Sequence, residues 1–300
     1  MAAYTIRDLE RISGIKAHTI RIWEKRFGLI EPERTSTNIR TYCDAELRKL
    51  LNVSILNKNG YKISRIARLS VEEIFTNINK LSENPCDTES QIDSMALAMI
   101  DLDELKFEKI LSRSIIQFGF EDTVIKVMIP FLVRIGIMWQ TGTINAVHEH
   151  FISNLVRQKM FVAIDSLVSG NSSNSITTLL FLPEGELHEM GLLFTNYLIR
   201  KKGHKVIYLG QNVPFTDLVE VAKKCYFDIL VTSFISSVSE EDIIKYLQNL
   251  NEKIPGKTIF ITGDLSAHLN IQFSENIKYI DSPHALMNEL DLISSNKVPA

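Results

Sequence analysis

The amino-acid sequence predicts a multidomain chain, largely helical over its first half and α/β over its last third, and three observations predict it. Residues 1–70 hold fourteen Lys/Arg against seven Asp/Glu, while the remainder holds 19 basic and 29 acidic residues, so a small basic segment is joined to an acidic body. Polar stretches at 82–91 and 170–175 divide the chain by composition. After residue 174, apolar runs near 176–182, 205–209, 228–233, 257–261 and 277–280 alternate with helical stretches. That alternation predicts a parallel sheet with helices on both faces, of the flavodoxin-like (Rossmann-type) kind. The expected domains are therefore residues 1–75, 90–170 and 175–300.

In the basic segment, Thr5 is placed to cap a first helix through about Ser13, with Ile6, Leu9 and Ile12 as its apolar stripe, and Gly14 breaks it. A second helix over 17–27 repeats the pattern, with Ile20, Trp23 and Phe27 facing inward. Two helices joined by a glycine turn within about 25 residues form a helix-turn-helix, whose second helix enters the major groove. His18, Thr19, Arg21, Lys25 and Arg26 are then available to double-stranded DNA. A polar loop over 34–42 between short extended pieces reads as a wing. It would send Arg34 and Arg40 to phosphates or the minor groove and give Tyr42 a phosphate bond, before Asp44 caps a third helix. A positive excess of this size suits a polyanion, because each phosphate contact releases counterions.

Helical runs near 92–100, 103–118, 122–138 and 146–168 predict a four-helix bundle, with Asp101 or Asp103 and Asp122 as starts. Such a bundle can present one end to a planar ligand. The first apolar run of the α/β part ends in a tight loop over 182–191 that carries His188, before a helix over 189–202. That helix closes at Gly203 with Arg200, Lys201 and Lys202 in its last turn, as helix electrostatics favour. The loop lies at the carboxyl end of a strand, where open α/β sheets bind ligands. Glu186, two residues before His188, is close enough to accept a ring N–H and fix the tautomer, and Gly191 permits close approach of backbone or ligand. The loop is a candidate metal-ligand loop.

Four sets of residues carry family resemblances. The run T-I-x-x-L-x-x-x-[SG]-G-I, then H-T-I-R-x-W-E-x-R-x-G-L-I and the R-x-x-x-x-x-R-x-Y of Arg34 to Tyr42, closely resembles the winged helix-turn-helix of the MerR family over about 70 residues. The loop pattern E-x-H-x-x-G resembles the cobalamin-binding signature D-x-H-x-x-G, which implies His188 as lower axial ligand of cobalt. Trp139, with Gly142 three residues on and Glu149-His150 ten and eleven residues on, resembles the four-helix cap over the upper face of cobalamin. In that family the Trp packs on the upper axial group and the Glu and His line the same pocket. Ser233, Ile235 and Gly263, at the ends of two later strands, resemble the residues lining the slot for the nucleotide tail, although Asp264 stands where that family has a second glycine.

The order of these parts resembles the cobalamin-dependent MerR regulators of the CarA, CarH and LitR type, over essentially the whole chain. The resemblance implies a repressor that binds operator DNA as a homodimer or homotetramer. In the photoreceptor branch, adenosylcobalamin drives assembly in the dark and light disperses it. One position departs from that branch, because Gln140 stands where photoreceptor members carry a His after the Trp. An amide is a poor cobalt ligand beside neutral imidazole, so His148 or His150 could substitute, or the upper site could take water.

Length and composition, 300 residues with 45% hydrophobic content, suit two or three domains with ample cores. Cys43, Cys86 and Cys225 are odd in number and widely spaced, with no CxxC, zinc pattern or disulfide framework, which suggests a reduced, cytoplasmic protein. No amino-terminal apolar run or 18-residue apolar stretch points to secretion or a membrane. No nucleophile–base arrangement or phosphate-cradling glycine loop points to an enzyme. Two further readings are a regulator that keeps the fold but is switched by a partner protein without cobalamin, and a corrinoid methyl carrier.

Overall fold

A computed structural model describes residues 4–35, 38–82, 88–140, 144–167, 175–235, 239–263 and 274–296. It resolves into two compact units, Met1–Val156 and Arg157–Ala300.

The first unit opens with α1 (Ile6–Ser13) and α2 (Ala17–Phe27), then a hairpin of β1 (Glu33–Arg34) and β2 (Arg40–Thr41), then α3 (Asp44–Lys58), α4 (Ile63–Ile66) and α5 (Val71–Ser82). Thr5 starts α1 in a capping box: its hydroxyl accepts from the Asp8 N–H at 3.3 Å, and the Asp8 carboxylate accepts from the Thr5 N–H at 2.8 Å. Gly14 ends that helix at φ 70°, a left-handed conformation that glycine adopts without penalty. Leu9, Ile12, Ile20 and Trp23 are buried as expected, whereas Phe27 is half-buried. The third helix departs in detail, for Asp44 is its first residue and Cys43 occupies the cap position without a side-chain bond.

The bundle helices of this unit are α6 (Thr88–Ile100), α7 (Glu104–Phe118), α8 (Phe120–Thr123), α9 (Ile129–Gln140) and α10 (Ala146–Asp165), the last running on into the second unit. Asp103 caps α7, accepting from the Lys106 N–H at 3.0 Å. Asp122 is not a start. The helix begins after Gly119 and widens into a π-helical turn over Val124–Met128, just before Pro130. Proline cannot donate to the carbonyl four residues back and its ring crowds that carbonyl, which the wider turn relieves. The polar run at 82–91 also ends sooner than its composition suggests, because helix α6 already holds Thr88 and its residues are buried from Gln91 onward. Tertiary burial there overrides composition.

Helix α6 is buried on all sides from Gln91 to Met99, and one carboxylate, Asp93, lies within that run. Asp93 is fully buried and surrounded by donors from two other helices. Arg134 of α9 lies at 2.5 Å, Lys58 of α3 at 3.0 Å and the Ser54 hydroxyl of α3 at 3.3 Å. Further pairs flank it, Lys58 with Glu89 at 3.1 Å and Arg48 with Asp101 at 3.0 Å. The helix that follows the wing is thus clamped to the bundle by charge.

The second unit is an α/β sandwich of β3 (Thr177–Pro183), α11 (Met190–Lys201), β4 (Lys205–Val213), α12 (Phe215–Lys224), β5 (Ile229–Ser233), α13 (Glu240–Lys253), β6 (Thr258–Thr262), β7 (Ile277–Tyr279) and α14 (Pro283–Asn296). The five strands are all parallel in the order β4-β3-β5-β6-β7. Both faces are covered by helices, so β3 and β5 read as continuous apolar runs and are buried almost end to end. The chain turns outward in opposite directions from β3 and β5. Their carboxyl ends therefore form the crevice at the switch point of this topology. No helix among the described residues is long and apolar enough to cross a membrane.

Candidate functional site

The loop leaving β3 runs directly over that switch point. Gly185, at φ 86°, turns the chain, and the Asn212 amide oxygen of β4 accepts its N–H at 2.8 Å. Asn212 itself sits at φ 55° and donates its own N–H to the Glu186 carbonyl at 3.2 Å. Asn tolerates this backbone better than most side chains, so Asn212 is a clamp on the loop that sequence reading missed. Its only sequence signal is an Asn-Val-Pro triplet closing a strand.

Glu186 is buried, and each of its oxygens is used. One accepts the His188 backbone N–H at 3.0 Å and the His188 Nδ1–H at 2.7 Å; the other accepts the Ile235 N–H at 2.9 Å, just past β5. The carboxylate thereby ties the loop to the far side of the crevice and fixes the imidazole tautomer. With the proton on Nδ1, the lone pair is on Nε2, which suits metal ligation. The His188 side chain is 62% exposed, so it is presented outward rather than packed. Gly191 has nothing within 4 Å of where a Cβ would stand, so the described chain makes no use of the space it leaves.

Among the described residues no group of three or more His, Cys, Asp or Glu could hold a metal ion. One outward imidazole cannot retain a bare cation at such a site. It can complete the coordination of a metal that arrives already held in a macrocycle, and this donor set fits a corrinoid.

At the neighbouring strand ends, Ser233 is buried and its hydroxyl donates to the Thr262 carbonyl at 3.1 Å, while Ile235 is exposed. Gly263 lies at φ 106°, and a Cβ there would fall 2.5 Å from the Phe234 carbonyl oxygen and 2.7 Å from the Ser233 hydroxyl. The missing side chain is therefore required by the approach of two strand ends to one another. Asp264 lies outside the described residues.

The residues expected above the corrin belong to the first unit. Trp139 is 57% exposed at the end of α9. In the first turn of α10, Glu149 pairs with His150 Nδ1 at 2.9 Å and accepts from the Ser153 hydroxyl, while His148 Nδ1 lies 2.8 Å from the Asn145 side-chain oxygen. The Gln140 side chain and residues 141–143, including Gly142, lie outside the described residues.

On the second helix of the amino-terminal segment, His18, Arg21, Lys25 and Arg26 are exposed and Thr19 is half-buried. Arg21 and Lys25 follow His18 at helical spacings of three and seven, which places them on one face. The wing is held to this helix by a residue the sequence reading passed over. Glu24 accepts from Arg40 Nε at 3.1 Å and from the Tyr42 hydroxyl at 3.2 Å. Tyr42 is 1% exposed, and burial, followed by the Glu24 charge, pushes its pKa up to about 12. The expectation that Tyr42 bonds a phosphate is corrected accordingly. It exchanges both backbone bonds with Tyr4 at 2.8 and 2.9 Å, which turns its ring into the core and its hydroxyl onto Glu24. Arg34 remains exposed and donates to the Asn38 side chain at 2.6 Å, at a turn where Asn38 has φ 63°.

Comparison with known proteins bears on both halves. Residues 4–72 match the model of the MerR HTH family regulatory protein, and residues 91–163 match that of the B12 binding domain. The chain joins a MerR head to a B12-binding domain. The HTH-type transcriptional repressor CarH of Myxococcus xanthus is 27% identical over 267 residues, covering 87% of this chain and 88% of that protein. The repressor CarA of the same organism is 25% identical over 287 residues, 94% of each. The chain is homologous to both. The regulator MlrA of Escherichia coli is 32% identical over 73 residues, 24% of this chain and 30% of its own length, so it shares a MerR-sized segment. The monomethylamine corrinoid protein of Methanosarcina barkeri covers 69% of this chain and 100% of its own at TM-score 0.54 and 15% identity, which shows the fold alone.

Proposed function

We propose that the chain is a cobalamin-dependent, DNA-binding transcriptional repressor that binds adenosylcobalamin, with His188 as the lower axial ligand of cobalt. The observation that carries this reading is the buried Glu186, which grips His188 by both backbone and ring at the switch point of the sheet, in a chain whose other end is a MerR head. Trp139, Glu149 and His150 are the residues proposed for the upper face, on the strength of their pattern. Ser233, Ile235 and Gly263 border the nucleotide tail. When bound, adenosylcobalamin supplies a light-labile cobalt–carbon bond and a bulky upper group. His188 would hold the metal through Nε2, with Glu186 keeping the proton on Nδ1 and Asn212 keeping the loop closed.

On the DNA side, Arg21, Lys25 and Arg26, with His18 and Thr19, read the major groove, and Arg34 and Arg40 meet the backbone from the wing. Glu24 sets the angle between helix and wing. The repressor acts in the cytoplasm as a homodimer or homotetramer, since a second head on one operator binds intramolecularly. Loading the protein with adenosylcobalamin in darkness should tighten binding to its promoter DNA in a mobility-shift assay, and green light should weaken it. Equal affinity with and without the cofactor, in dark and light, would sink the reading. Arg21→Ala should weaken operator binding by about 1–3 kcal/mol while leaving cobalamin retention unchanged.

A second reading, a regulator that keeps the fold and is switched by a partner protein without cobalamin, draws support from one observation. The Ser233 hydroxyl is bonded to Thr262, and the space beside Gly263 is filled by the chain's own atoms. A nucleotide tail would have to displace those contacts.

A further inference from the structure

We propose that Arg157 is a positioning residue for the cobalt ligand, holding the His188 loop in its ligating shape through Glu189. This rests on the reading of His188 as the lower ligand. Glu189 follows His188 directly, and its side chain is buried. One oxygen lies 2.7 Å from Arg157 Nε, in the second half of α10, and the other accepts from the Tyr208 hydroxyl of β4 at 3.1 Å. Burial, reinforced by the Glu189 charge, raises the Tyr208 hydroxyl pKa well above its ordinary value, so Tyr208 stays a donor.

The backbone of Glu189 has two duties. Its N–H donates to the Leu187 carbonyl at 2.9 Å, closing the turn that carries His188, and its carbonyl accepts the Leu193 N–H at 2.9 Å, opening α11. Fixing this side chain fixes where the loop ends and the helix begins. Glu186 and Glu189 thus bracket His188 with separate tasks, the first orienting the ring and the second seating the backbone beneath it. A carboxylate this buried needs a cation beside it, because one hydroxyl donor does not replace the water it has lost. Arg157 supplies that cation from outside the loop. Without it, Glu189 is drawn toward solvent and takes the His188 turn with it.

The test uses the full chain as Arg157→Met, Arg157→Lys and Glu189→Gln variants, with two readouts. Amide hydrogen exchange over residues 184–191 is followed in the protein without cofactor. The visible spectrum after loading with adenosylcobalamin and desalting in the dark then reports whether cobalt carries a histidine. Arg157→Met is expected to speed exchange in the loop about tenfold, less than breaking a fully buried pair would give because the Arg157 side chain is 32% exposed. Exchange in β3 and β5 should stay as in the parent, and cobalt should shift toward a form without its histidine. Glu189→Gln should move the same way, and Arg157→Lys should restore most of the parent behaviour. Parent-like loop exchange and histidine ligation in Arg157→Met would overturn the proposal. If Arg157→Met fails to fold, parent-like behaviour of Glu189→Gln overturns it equally. A parent protein that retains no corrinoid would refute the cobalamin reading, while the exchange data on the cofactor-free protein would still decide the role of Arg157.

Discussion

Replacing Asp93 by Ala should lower the stability of the first unit by about 3–5 kcal/mol, because it removes the anion from a buried cluster and leaves two cations behind. Asp93 is fully buried and takes Arg134 at 2.5 Å, Lys58 at 3.0 Å and the Ser54 hydroxyl at 3.3 Å. Arg134 already has Nε and Nη2 buried without a hydrogen-bond partner, so its charge depends on this one carboxylate. Lys58 keeps Glu89 at the surface and can recover, whereas Arg134 cannot. Asp93→Asn should cost less, since the amide oxygen still accepts. Both tryptophans of the chain, Trp23 and Trp139, lie in this unit, so urea unfolding followed by tryptophan fluorescence reports on it selectively. The cluster joins the helix behind the wing to two bundle helices. The variant should therefore also loosen the MerR head from the bundle before global unfolding. A transition midpoint within error of the parent would refute the charge accounting.

The second large effect is expected at Gly263. An alanine there would need φ near 106°, which L side chains rarely adopt, and its methyl would sit 2.5 Å from the Phe234 carbonyl oxygen. Backbone strain of this kind costs about 1–3 kcal/mol, and relieving the overlap must also part the Ser233 hydroxyl from Thr262. The Gly263 carbonyl accepts from the Tyr279 hydroxyl at 2.9 Å, so the strain spreads to β7. Two residues beyond Ser233, the Ile235 N–H holds Glu186. Gly263→Ala should therefore lower the melting temperature of the second unit and speed exchange in the His188 loop together. Unchanged loop exchange in a destabilised variant would show that the strand ends and the loop are independent.

The parts of this chain that were legible in its sequence share one property: their signal is local. Thr5 with Asp8, the glycine turn at Gly14 and the apolar stripe of Ile20 and Trp23 are set within a few residues, and the structure has them in place. The inner strands β3, β5 and β6 are legible because buried parallel strands are unbroken apolar runs. Glu186 and His188 could be paired from a spacing of two, and they are bonded at 2.7 Å.

What escaped notice depends on partners distant in sequence. Asp93 looks like a solvated helix charge until α3 and α9 close on it, 35 and 41 residues away. Glu24 gives no local signal, because Arg40 and Tyr42 reach it only once the wing folds back, and for the same reason the sequence offers Tyr42 as a phosphate contact. Asn212 and Arg157 act on the His188 loop from a neighbouring strand and from a helix before the sheet. The start expected at Asp122 failed for a local reason of another kind, since Gly119 already breaks the helix three residues earlier.

The most direct measurement is the visible absorbance of the full-length protein after incubation with adenosylcobalamin in the dark and removal of free ligand, taken beside His188→Ala. The account predicts a retained corrinoid in the parent with the spectrum of histidine-ligated cobalt, and loss or a marked shift of that colour in the variant. A colourless parent, or a variant whose spectrum and retention equal the parent's, would contradict it.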